Sequence, residues 1–262
     1  MTLRARLGGS LGRGLSLILP APLARGLVEA MVERDRDRRN MIDLLLHHQK
    51  ARAPALEDMP FDLPIEGALG FEHMAGLFAG TTLDESIAMM NVRQVAYLFG
   101  LIRETRPERV IEIGRHKGGT TLAIAAAMAG RGRFWSIDDP GRTDEGPGRP
   151  VQDQLADMCR RLGLSVTMVD GDPRNVELDS GEVDLVFIDG DHAYESCRSD
   201  FERFGTRVRV GGSVLFDDAF DDGFYRPPHT LDVERVAREV GSRRDFRLVK
   251  AVKRLAHFER IA

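Results

Sequence analysis

The residues best equipped for chemistry follow two apolar runs. Val183–Ile188 is followed by Asp189, Gly190, Asp191 and His192, and Gly211–Phe216 is followed by Asp217 and Asp218. If both runs are neighbouring strands, they deliver up to four carboxylates to one end of a sheet. Like charges at short range are costly unless something compensates them. A divalent cation does so, and an all-oxygen donor set suits a hard ion such as Mg²⁺. Taken singly, each aspartate reads equally as a solvated loop residue or a helix cap. His192 is suited to exchange a proton near neutral pH, or to bond a neighbouring carboxylate as a purely structural residue.

A second group lies upstream. Val110 to Thr121 reads as a strand, a glycine-bearing turn and the opening of a helix. Gly114 permits a tight turn, while Gly118 and Gly119 let backbone approach a ligand closely. Helix N-terminal amides, with Thr120 or Thr121, can bind a carboxylate. His116 stands where a dinucleotide fingerprint carries its second glycine, which disfavours pyrophosphate. Asp138 ends the next apolar run, roughly 20 residues on, where an acid holds ribose hydroxyls. Its neighbour Asp139 can instead cap the loop. Asp170-Gly171-Asp172 ends a third run and reads either as an adenine contact or as a turn.

These positions need strands and helices to hold them. A helix is expected over 84–106, with Asp84 as N-cap and Ile87, Val92, Val95, Leu98, Leu101 and Ile102 as its apolar face. Strands are expected at 109–113, 134–137, 165–169, 183–188 and 211–216. Helices are expected at 120–129, 151–162, 195–208 and 230–240, and 246–252 with 255–261 as a closing antiparallel pair. Strands alternating with helices of this length imply a mainly parallel α/β sheet covered on both faces. The loop 139–150 reads as a lid, and 219–229, with Phe220, Phe224, Tyr225 and His229, as an acceptor contact.

The division expected is an N-terminal helical and irregular appendage at 1–83 and a Rossmann-like domain at 84–262. A net charge of −4 predicts no nucleic-acid partner. The segment 1–28 holds four arginines and no acid, and reads as a tail or first helix, with peripheral membrane contact as the other reading. No apolar run is long enough for stable membrane insertion. Cys159 and Cys197 match no metal or redox spacing, so a cytoplasmic, disulfide-free protein is expected.

The combined pattern Glu112-Ile113-Gly114, Gly118, Ile137-Asp138, Asp189-Gly190-Asp191-His192 and Asp217-Asp218 resembles the metal-dependent class I O-methyltransferases. The nearest kin by this resemblance are bacterial sugar O-methyltransferases of macrolide and aminocoumarin biosynthesis, with catechol O-methyltransferase more distant. The resemblance spans about 85–260 and implies a Rossmann-like, seven-stranded, mostly parallel sheet. It implies S-adenosylmethionine as cofactor, with Gly114, Gly118 and Thr120 along its methionine part, Asp138 at the ribose and Asp172 near adenine. Glu112 and Asp189 join that cofactor set. Asp189, Asp217 and Asp218 would bind Mg²⁺ or another divalent cation. His192 falls where relatives carry a general base, with Asp191 as rival. The implied acceptor is a hydroxylated small molecule, with a sugar of natural-product biosynthesis as first choice, and self-association is common among such relatives. The competing readings are a nicotinamide-dependent oxidoreductase and a non-catalytic cofactor-binding subunit.

Overall fold

In the computed structural model, residues 70–71, 88–139, 148–220 and 230–262 are described, with backbone alone at 148–151 and 230–231. Among the described residues, seven strands are present: β1 (Arg109–Ile113), β2 (Arg133–Asp138), β3 (Thr167–Asp170), β4 (Val183–Ile188), β5 (Val208–Phe216), β6 (Phe246–Val252) and β7 (Leu255–Arg260). They form one sheet in the order β3-β2-β1-β4-β5-β7-β6. β1 to β5 run parallel, and β7 enters antiparallel between β5 and β6. This is a Rossmann-like architecture, with the order reversing between β1 and β4.

Among the described residues, five α-helices flank the sheet: α1 (Val92–Thr105), α2 (Gly119–Met128), α3 (Gly148–Arg161), α4 (Tyr194–Arg203) and α5 (Thr230–Ser242). Strand alternation splits the core into two layers. Val110, Leu185, Phe187 and Leu215 pack on one face with residues of α1, α2 and α3, including Leu98, Leu122 and Leu155. Ile111, Val186, Val214 and Phe216 pack on the other with residues of α4 and α5, including Phe201 and Val236. Every residue of α2 is buried, as its run of alanines and leucine requires.

Two boundaries differ most from expectation, the others shifting by at most three residues. The first helix starts at Val92, not residue 84. Asn91 caps it, its Oδ1 accepting from Arg93 N–H at 2.9 Å while Gln94 Oε1 accepts from Asn91 N–H at 3.1 Å. Residues 88–91 are non-helical, and 84–87 lie outside the described residues. The helix expected over 195–208 ends at Arg203 and passes through a 3₁₀ turn at Gly205–Arg207. Val208 already belongs to β5, because this β-former pairs with Val183 of β4 rather than extending the helix.

The appendage expected over 1–83 lies outside the described residues apart from Gly70 and Phe71, whose ring packs edge-on against Phe99 at 5.5 Å. Most of the expected lid, 140–147, and most of the acceptor loop, 221–229, also lie outside them. Among the described residues, no helix is long and apolar enough to cross a membrane.

Candidate active site

Hydrogen bonds continue past the strand ends and stitch the tips together. Gly114 N–H donates to Ile137 O (2.9 Å), Asp189 N–H to Ile113 O (2.8 Å) and Asp217 N–H to Ile188 O (3.0 Å). The tips of β2, β1, β4 and β5 therefore sit in one row at the point of strand-order reversal, where open α/β sheets bind ligands.

The glycine turn occupies one half of this row. Gly114 has φ +91°, and a Cβ there would collide with the Asp189 carbonyl, so only glycine lets β1 and β4 approach. Gly118, the N-cap of α2, has φ +83° and lies against Leu155. His116 also has a positive φ, +45°, the conformation a glycine adopts without strain. Its N–H donates to Asp138 Oδ2 at 3.1 Å, which ties the turn to the tip of β2. Burial pushes the Asp138 carboxyl up, against the pull of Arg115.

Glu112 lies directly beneath the turn. Its Oε2 accepts from Thr121 Oγ1 (2.6 Å) and Ser136 Oγ (2.5 Å), while Oε1 has no hydrogen-bond partner among the described residues. Burial raises its pKa to about 7; the two hydroxyls and Arg115 oppose the rise. Thr120 is buried, with its hydroxyl toward Met90 Sδ at 3.5 Å.

Arg115 escaped the sequence reading. Its guanidinium donates to Gln152 Oε1 (2.5 Å), Ser136 O (2.6 Å) and Asp170 Oδ1 (2.6 Å). Gln152 Nε2 in turn donates to His116 O at 2.7 Å. One buried cation thus clamps the turn to β2, β3 and α3. A lone arginine inside a loop gives no sequence signal for such a role. Asp172, by contrast, is gripped by Arg174, which donates to both carboxylate oxygens at 2.9 and 3.0 Å through Nε and at 2.6 Å through Nη2. Its Oδ1 also accepts from Arg174 N–H at 2.9 Å, so it organises its own turn.

The acidic half lies on β4 and β5. His192 Nε2 stands 3.7 Å from Asp189 Oδ1 and 3.4 Å from Asp218 Oδ2, so the two strand tips converge on one imidazole. Asp217 is turned to Gln94 of α1, whose Nε2 donates to Oδ1. The Asp189 and Asp217 carboxyls are pushed well above the usual range, first by burial and then by neighbouring aspartates. Asp191 points elsewhere: it accepts from Ala193 N–H (3.1 Å) and Ser196 Oγ (2.9 Å) at the start of α4.

Arg254 completes this half. It belongs to the β6–β7 turn, where Ala219 N–H donates to its carbonyl at 2.8 Å. Its Nη1 lies 2.6 Å from Asp218 Oδ1, and both side chains are less than a tenth exposed. Among the described residues no three His, Cys, Asp or Glu side chains stand as a formed metal cage. The oxygen donors suit a hard cation in chemistry, while Asp218 is paired with Arg254 and Asp217 faces Gln94.

Residues 111–219 match a family model described as a methyltransferase domain. Over that stretch the chain is similar to this methyltransferase family. Comparison with curated proteins found no match. Among solved structures, the methyltransferase PaMTH1 of Podospora anserina, bound to S-adenosylhomocysteine, is 14% identical with a TM-score of 0.56, over 87% of this chain and 97% of that one. The O-methyltransferase TomG of Streptomyces achromogenes, in complex with S-adenosylmethionine, is 18% identical with a TM-score of 0.55, over 77% and 94%. A methyltransferase of Geobacter sulfurreducens is 19% identical with a TM-score of 0.50, over 66% and 81%. These likenesses report the shared fold.

Proposed function

We propose that this methyltransferase transfers the methyl group of S-adenosylmethionine to a hydroxyl oxygen of a small molecule, supported by a divalent cation, with Mg²⁺ the first candidate. The observation that carries the reading is the position of Asp189. Its backbone closes against Gly114 of the donor turn, while its carboxylate stands 3.7 Å from the His192 imidazole that also faces Asp218. Donor and acceptor ends are therefore within one residue of each other.

On this reading Gly114, Gly118 and Thr120 line the methionine part of the donor, and Asp138 takes the ribose. Glu112 Oε1 is available beneath the turn as an acceptor for a cationic group of the donor. Asp172 lies toward the adenine end, where its carboxylate first has to share Arg174. Asp189 and Asp218, with Asp217 released from Gln94, hold the cation. Bound, the donor supplies an electrophilic methyl carbon and the cation lowers the pKa of an acceptor hydroxyl. The chain itself orients that hydroxyl and removes its proton, and we assign His192 Nε2 as the base, supported by its position between Asp189 and Asp218. Asp191 is the weaker choice, since both its oxygens serve the start of α4.

A natural-product hydroxyl, on a sugar or otherwise, is the acceptor class we favour; TomG takes part in tomaymycin synthesis. A nicotinamide-dependent oxidoreductase is disfavoured by the family match. Thermal-shift screening with adenosylhomocysteine against NAD and NADP separates the two. Asp189→Asn is expected to abolish Mg²⁺-dependent turnover while leaving the adenosylhomocysteine shift nearly intact. Full wild-type activity in excess chelator would overturn the cation's part.

A further inference from the structure

The acidic cluster already contains a cation. Arg254 reaches it from the β6–β7 turn, and its guanidinium pairs with Asp218 Oδ1 at 2.6 Å while Oδ2 of the same carboxylate faces His192. The pair is almost wholly buried, with 6% and 9% of the side chains exposed. Its position is not left to a flexible side chain alone, because Ala219, next to Asp218, bonds the Arg254 backbone. The guanidinium charge also acts on Asp189 and Asp217, favouring their ionised forms against burial. Gln94 satisfies Asp217 from the other side.

We propose that Arg254 is the resident counter-ion of this cluster and holds down its affinity for a divalent cation. The inference rests on the reading that Asp189 and Asp218 bind such a cation. A buried guanidinium withdraws negative charge from Asp218 and repels a second positive charge brought next to it. The cluster consequently keeps its charge balance without an ion and takes one up weakly. Removing the guanidinium leaves buried carboxylates uncompensated, a deficit that a divalent ion makes good.

The test is calorimetric titration of the full chain with Mn²⁺, alongside melting curves in chelator and in excess Mn²⁺. Wild type, Arg254→Gln and Arg254→Lys are compared, and an adenosylhomocysteine thermal shift checks that each is folded. Arg254→Gln is expected to bind Mn²⁺ at least tenfold more tightly than wild type. It is also expected to melt lower in chelator and to recover more of its stability on adding Mn²⁺. Arg254→Lys, which keeps the charge but loses the planar fork, is expected to lie between them, and it carries the comparison if Arg254→Gln does not fold. Equal or weaker Mn²⁺ binding by the variants, with wild type still binding, overturns the role of Arg254 and leaves the cation reading standing. No Mn²⁺ binding by any of the folded proteins overturns both.

Discussion

At the scale of single residues, the site divides its acids by what each is bonded to. His192 meets two carboxylates across neighbouring strand tips, whereas Asp191, one position away, serves the start of α4. His192→Ala is therefore expected to lower kcat by about 10²–10⁴-fold with an altered pH–rate profile. Asp191→Ala is expected to cost about 1 kcal/mol of stability and less than tenfold in kcat. Parallel kinetic and denaturation measurements on the two variants check this, and the reverse ranking would move the base to Asp191. Glu112 offers a test of opposite kind. Its folded pKa of about 7 lies above its ordinary 4.5, so its contribution is fully present below 4.5 and lost as pH rises through 7. That loss amounts to about 3 kcal/mol. Glu112→Gln is expected to be more stable than wild type at pH 8 and to bind adenosylmethionine more weakly. A variant no more stable at pH 8 would contradict the assignment of burial as the cause.

At the scale of elements, the glycine turn depends on close approach more than on flexibility. Gly114→Ala must both accept φ +91° and push back the Asp189 carbonyl, so it is expected to cost more than about 3 kcal/mol. Gly163→Ala also sits at positive φ, +62°, but meets nothing within 4 Å, so only the local strain of about 1 kcal/mol is expected. Chemical denaturation of the two variants separates steric from conformational cost. The elements themselves were largely legible in the sequence. Short β-branched runs marked β1, β4 and β5, and the Gly114 turn and the acids Asp138, Asp189, Asp217 and Asp218 fall at strand tips as read. Boundaries were lost where two signals competed. Asp84 and Asn91 are both plausible caps, and only the Gln94 partner distinguishes Asn91. Val208 and Val210 suit a helix face as well as a strand. Gln94, Arg115 and Arg254 could not be found this way: each reaches the site across long sequence separations, and a single polar residue carries no periodicity.

At the scale of the whole molecule, a partly buried polar chain crosses between α1 and the sheet. Tyr97 Oη lies 2.7 Å from His257 Nδ1, and His257 Nε2 lies 2.9 Å from Ser213 Oγ. Burial holds the His257 pKa down at about 4, against an ordinary 6.5. Its stabilising contribution is present above pH 6.5 and disappears as pH falls through 4, a change of about 3 kcal/mol. The folded state is thus expected to weaken in acid, and His257→Gln to flatten that dependence in denaturation curves at pH 7 and pH 4.5. Identical slopes for the variant and the parent would place the acid sensitivity elsewhere.

The order of the strands along the chain has one more consequence. β7 lies between β5 and β6, so β6 has no seat in the sheet until β7 has been synthesised and folded back beside it. Arg254 travels in the bend joining them. A growing polypeptide therefore displays the aspartates of β4 and β5 well before their guanidinium arrives. The glycine turn, built from earlier segments, can take shape first, and the aspartate tips gain their buried positive partner only when the hairpin docks.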